Sequence, residues 1–130
     1  MPLEPLQLRD VDPPRSVVLV RQGARTLNDE RLAQSCEMTR ARWGIFGFSV
    51  HELPAGGYEE LARLAPILRR RPRVLEANAT ELVGNGFPLL PSGIFPHWTV
   101  VLAEPTAEQF RRVRSCFRER ANPIFDSGGG

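Results

Sequence analysis

The stretch SVVLVR, residues 16–21, limits this chain more than any other. It is an unbroken run of β-branched and aliphatic side chains, closed by Arg21 and a Gln-Gly pair. Successive side chains of a strand point to opposite faces, so a run with no polar alternation buries both faces. The run predicts an interior strand, for which the rest of the chain has to supply neighbours.

Those neighbours alternate with helices. Thr26 or Asn28 can cap a helix over residues 26–44, with Asp29 and Glu30 in its first turn and Gly44 as its stop. Leu32, Cys36 and Trp43 share a face of it. IFGFSVHEL (45–53) alternates: Phe46, Phe48 and Val50 point one way, and Gly47, Ser49 and His51 the other. That predicts a strand with one small, polar face, where Gly47 admits a close neighbour, either backbone or ligand. Residues 56–72 read as a helix kinked or split at Pro66, with Leu61, Leu64, Ala65 and Leu68 on one face. RVLEA (73–77) is a short strand, and Asn78 with Glu81 opens a helical turn. FPLL and FPHWTVVL read as a hairpin or adjacent strand pair, with Pro88 and Pro96 toward edges or ends. TAEQFRRVRSCFRER (106–120) reads as the clearest helix: Thr106 and Gln109 form a capping box, and Phe110, Val113 and Phe117 line one side.

The order β-α-β-α-β-(α)-β-β-α fits one α/β (α+β) domain over residues 1–130. The expectation is a small mixed sheet of four to five strands with helices packed on one face, nearest to a ferredoxin-like sandwich. Residues 1–15 form an extended lead-in and 121–130 a flexible tail. Trp43, Phe46 or Phe48, Leu61, Leu64, Val100, Phe110, Val113 and Phe117 should share the core.

Composition narrows the function classes. At 42% hydrophobic and 25% charged residues, the chain has the balance of a globular domain rather than a disordered one. Its first residues carry no basic, apolar leader pattern and no run reaches a membrane span, so a cytoplasmic protein without a membrane partner is expected. Cys36 and Cys116 fall within helical segments and show no ligand spacing. Reduced, buried thiols follow, with no metal site and no cofactor. All 17 basic residues are arginine, spread along the chain, and the net charge is only +2. Codon usage explains this more simply than a nucleic-acid footprint does.

Four residues could carry chemistry: Arg21, Ser49, His51 and His97. Arg21 and His97 stand at strand ends, where loops make clefts, and Ser49 and His51 share the polar strand face. A histidine would move a proton, Arg21 would hold an anionic group, and Ser49 would donate a hydrogen bond. The plainer alternatives are a His97 bonded to a backbone carbonyl and an Arg21 solvated or paired with Asp29 or Glu52. His51 and Glu52 are adjacent, so they point to opposite faces and cannot act side by side. Arg69, Arg70 and Arg71, with Arg111 and Arg112 of the last helix, could bind RNA phosphates on one basic surface, or simply be solvated faces. No aromatic residues are interleaved with them for stacking on single strands.

Three resemblances bear on function. HWT, followed by an apolar strand and a capped helix, resembles one half of the two-histidine phosphoesterase pattern, in which His-x-Thr occurs twice and two imidazoles act as acid and base. His51, in HEL, lacks the hydroxyl. VLVR resembles the opening of the ADP-ribosyltransferase pattern, which continues with a Ser-Thr-Ser strand and a catalytic glutamate. Here Ser49 lacks its neighbours, and neither Glu76 nor Glu81 stands in such a motif. WGIFGFSV, GNGFPLLP and PHWTVVL, spread over residues 16–117, resemble a family of small uncharacterised α/β proteins of high-GC bacteria. That resemblance implies genes in small paired units, as in toxin–antitoxin or other two-gene regulatory systems. The expected function is a small soluble binding module with a protein partner or a second copy of itself. The alternative is an RNA- or nucleotide-acting enzyme, RNase-like or ADP-ribosyltransferase-like, using His97 and Arg21.

Overall fold

The computed structural model describes residues 8–11, 17–23 and 26–126. In chain order the elements are β1 (Val18–Gln22), α1 (Asp29–Trp43), β2 (Phe46–Glu52), α2 (Gly57–Leu64), a 3₁₀ turn (Pro66–Arg70), β3 (Arg73–Asn78), α3 (Ala79–Gly84), β4 (Leu89–Leu90), β5 (His97–Leu102), α4 (Ala107–Arg114) and β6 (Phe117–Ala121). They build one sheet in the order β4-β5-β2-β1-β3-β6, with every pair antiparallel. The broad α+β class holds. The sheet has six strands rather than four to five, and it is antiparallel rather than mixed. The split βαβ order of a ferredoxin-like sandwich is also absent, because β1 and β2 are direct antiparallel neighbours on either side of α1 in sequence.

The sixth strand corrects the reading of residues 106–120. α4 stops at Arg114, and Phe117–Ala121 pairs with β3, setting Glu76 opposite Arg118 and Leu75 opposite Glu119. Arg120 Nη1 lies 3.4 Å from Glu76 Oε2, and Arg73 Nη2 lies 3.3 Å from Glu119 Oε2. Charged side chains of this kind keep an edge strand from pairing with other chains.

Alternation along the strands sorts the apolar residues into two cores. Leu19, Phe48, Val50, Leu75, Trp98 and Val100 face α1, α3 and α4, which contribute Leu32, Cys36, Leu82, Phe110 and Val113. Val20 and Val74 face the other way, against Leu61 of α2, Ala65 and Leu68 of the 3₁₀ turn. Helices thus cover both faces of the sheet, which is why the interior strand β1 is apolar on both sides. Phe48, Val100, Phe110, Val113 and Phe117 share the first core as expected, whereas Leu61 belongs to the second. Leu64 is 40% exposed, because Pro66 ends α2 and turns the next residues into the 3₁₀ piece. Trp43 is half-buried.

Leu8 and Arg9, and Asn122 after the last strand, contribute to the fold. Leu8 bridges Ser92, and Arg9 Nη1 donates to the carbonyls of Ser92 (3.1 Å) and His97 (2.8 Å). The start of the expected tail is tied down: buried Asn122 donates from Nδ2 to the carbonyls of Leu68 (2.6 Å) and Arg71 (2.8 Å). The rest of the 1–15 lead-in and residues 127–130 lie outside the described residues. Cys36 and Cys116 are free and buried. Among the described residues no helix is long and apolar enough to cross a membrane.

Candidate functional site

β1 and β2 pair over only two positions, Leu19 with Glu52 and Val20 with His51, and then diverge. The backbone edge that β2 loses there is served by side chains. Arg21 Nη1 donates to the Ser49 carbonyl at 2.6 Å, and Thr39 of α1 bonds Gly47 N (3.0 Å) and Gly47 O (3.3 Å). Arg21 is also held by Thr26 Oγ1 (3.2 Å) and stacks over Phe48, 5.1 Å from the ring centre. Burial alone pushes its guanidinium down to about 10, so it stays charged at neutral pH.

On the far side of β2 the polar strand face becomes the floor of a cleft of about 440 Å³. His51 and His97 sit opposite each other in register, rings edge to face with centres 5.6 Å apart. Ser49 lies beside them. The walls are Trp43 at the end of α1, Leu64 and Ile67, and Ile94 and Phe95 of the loop before β5. His97 Nδ1 lies 2.9 Å from the Ser92 carbonyl, which can only accept, so Nδ1 carries the proton and Nε2 keeps a lone pair. Ser92 Oγ lies 3.0 Å from the same nitrogen and 2.6 Å from Thr99 Oγ1, and Arg9 holds the Ser92 carbonyl from the other side. Burial pushes His51 down to about 4, with help from His97 and then Arg21. Burial likewise lowers His97, against the Ser92 carbonyl, which favours its charged form, and together with Arg9. Both rings are neutral at pH 7.

Ser49, His51 and His97 therefore line one cleft, while Arg21 lies beyond β2 in a neighbouring one that Ser49 also lines. Arg21 pairs with neither Asp29 nor Glu52: Asp29 binds Arg114 at 2.7 Å, and Glu52 accepts from Trp98 Nε1 at 3.0 Å. The arginine runs lie on opposite faces of the sheet, because the 3₁₀ turn packs on one core and α4 on the other. Arg69 pairs with Asp126, Arg112 donates to the Asn85 carbonyl, Arg70 and Arg111 are exposed, and Arg71 lines a cleft with Arg21. Arg9 and Ser92, which set the tautomer of His97, carried no local sequence signal. Among the described residues no group of three or more His, Cys, Asp or Glu could hold a metal ion.

No family model matches the chain, and comparison with curated proteins and with solved structures found no match.

Proposed function

We propose that the chain is a small binding module that holds an aromatic side chain of a protein partner in the cleft over His51 and His97. The carrying observation is what surrounds the imidazoles. Singly exposed apolar residues are ordinary. Here four of the nine exposed large hydrophobics among the described residues, Leu64, Ile67, Ile94 and Phe95, ring one cleft, and Ile94 is 82% exposed. An apolar rim over a small polar floor suits an anchor residue that is desolvated on docking. The lone pair on His97 Nε2 accepts a hydrogen bond, which favours tyrosine or tryptophan as the anchor.

The same floor weighs against the enzyme alternatives. RNase-like catalysis needs an imidazolium acid beside an imidazole base, and burial keeps both rings neutral. ADP-ribosyl transfer needs a carboxylate, and among the described residues no Asp or Glu lines either this cleft or the two that contain Arg21.

Random-peptide display on the immobilised chain tests the proposal. Enriched peptides should share a tyrosine or tryptophan, and a folded Ile94→Asp/Phe95→Asp variant should bind them at least about tenfold more weakly. Peptides without an aromatic anchor, or peptides bound equally by the variant, overturn it. If the partner is the product of a neighbouring reading frame, as in a two-gene regulatory system, co-expression should give a stable complex that the variant loses.

A further inference from the structure

A second cleft, of about 540 Å³, lies beside the Gly23 turn and plays no part in that reading. Among the described residues four arginines line it: Arg21 of β1, Arg31 in the first turn of α1, Arg71 just before β3 and Arg73 at its start. Among the described residues no Asp or Glu lines it. Arg21 is largely buried there, yet among the described residues its hydrogen bonds go to neutral oxygens, those of Ser49 and Thr26. A buried cation with no counter-charge is costly. Arg73 meets Glu119 in an exposed pair, which screens it little. Arg31 and Arg71 have no acidic partner among the described residues. Gln22 lines the cleft too, and its buried Oε1 has no hydrogen-bond partner.

We infer that this cleft takes a small organic phosphomonoester, with its phosphate between Arg21, Arg31 and Arg71. A monoester carries nearly two negative charges at neutral pH and three acceptor oxygens, which suits several guanidinium forks better than a single carboxylate does. The cleft is far larger than a phosphate alone, so the group that bears the phosphate is held as well.

Calorimetry on the full chain at low salt tests this with ribose 5-phosphate, ribose, inorganic phosphate and a single-stranded RNA lacking terminal phosphates. Ribose 5-phosphate should bind more tightly than inorganic phosphate, ribose should not bind, and added salt should weaken the interaction. Arg31→Ala and Arg71→Ala, both at exposed positions, should each weaken it about tenfold. Arg70→Ala, next to Arg71 but outside the cleft, should leave it unchanged. The inference is overturned if ribose 5-phosphate does not bind, if it binds no better than inorganic phosphate, if Arg70→Ala costs as much as Arg71→Ala, or if the RNA binds more tightly. Ile94→Asp/Phe95→Asp should keep phosphate binding, so a failure here is separable from a failure of the partner cleft.

Discussion

Acidification should destabilise this fold through the floor of its partner cleft. His51 titrates near 4 in the folded chain, against an ordinary value near 6.5, because it is buried beside His97 and Arg21. Between those values the unfolded chain takes up a proton that the folded chain refuses. Stability is therefore complete above about pH 6.5 and falls as the pH drops toward 4. At ~1.4 kcal/mol per pH unit, the full gap corresponds to at most ~3.5 kcal/mol, of which ~2 kcal/mol is gone by pH 5. Solvent reaching the open cleft trims this to ~1–2 kcal/mol. His97, also lowered, acts in the same direction. The assay is urea unfolding at pH 8, 7, 6 and 5, comparing wild type with His51→Gln. Carboxylates titrate in both proteins and cancel, so wild type should lose ~1–2 kcal/mol relative to the variant as the pH falls from 8 to 5. Parallel profiles would refute the neutral-floor argument.

Three substitutions test the packing that positions the clefts. Gly47→Ala would place a Cβ 2.5 Å from the Val100 carbonyl oxygen and 2.9 Å from Thr99 Cγ2, so it should lower stability by ~1–3 kcal/mol in denaturant titrations; an unchanged midpoint would show that β2 and β5 do not approach so closely. Phe110→Ala, which empties the contact of α4 with the sheet, should cost ~3–5 kcal/mol, and a loss below ~1 kcal/mol would remove α4 from the core. Asn122→Ala strips the carbonyls of Leu68 and Arg71 of their donor and should cost ~1–3 kcal/mol, while exposed Arg118→Ala should cost almost nothing.

What the sequence disclosed was local. The ends of α1 were readable because their chemistry is local: Asn28 Oδ1 accepts from Arg31 N at 2.8 Å, and Gly44 takes the left-handed conformation at φ 79°. The interior place of β1 followed from its unbroken apolar run, and the shared face of Ser49 and His51 followed from alternation. β6 was hidden because Phe110, Val113 and Phe117 satisfy a helical spacing, and no Gly or Pro marks the break at Ser115. Only the pairing with β3 decides that segment, and pairing is not written locally. Leu64 fits the apolar face of α2 by spacing, yet Pro66 leaves it on the rim of a cleft. His97 joined His51 through cross-strand register, and Arg9 reached Ser92 from 83 residues away; periodicity reports neither.

The parting of β1 from β2 links these observations. Had the ladder continued in register, Arg21 would face Val50 and Gln22 would face Ser49, and the sheet would close. In the open arrangement the Arg21 side chain reaches the Ser49 carbonyl and Thr26. The chain instead gives the Ser49 carbonyl to Arg21 and the Gly47 edge to Thr39, so the opened backbone stays hydrogen-bonded and α1 packs into the gap. Ser49 consequently lines a cleft on each side of β2, and Arg21 lines the cleft beside the Gly23 turn as well. The arginine that ends the most apolar strand thus bridges the opening of the sheet, and both proposed ligand sites border that opening.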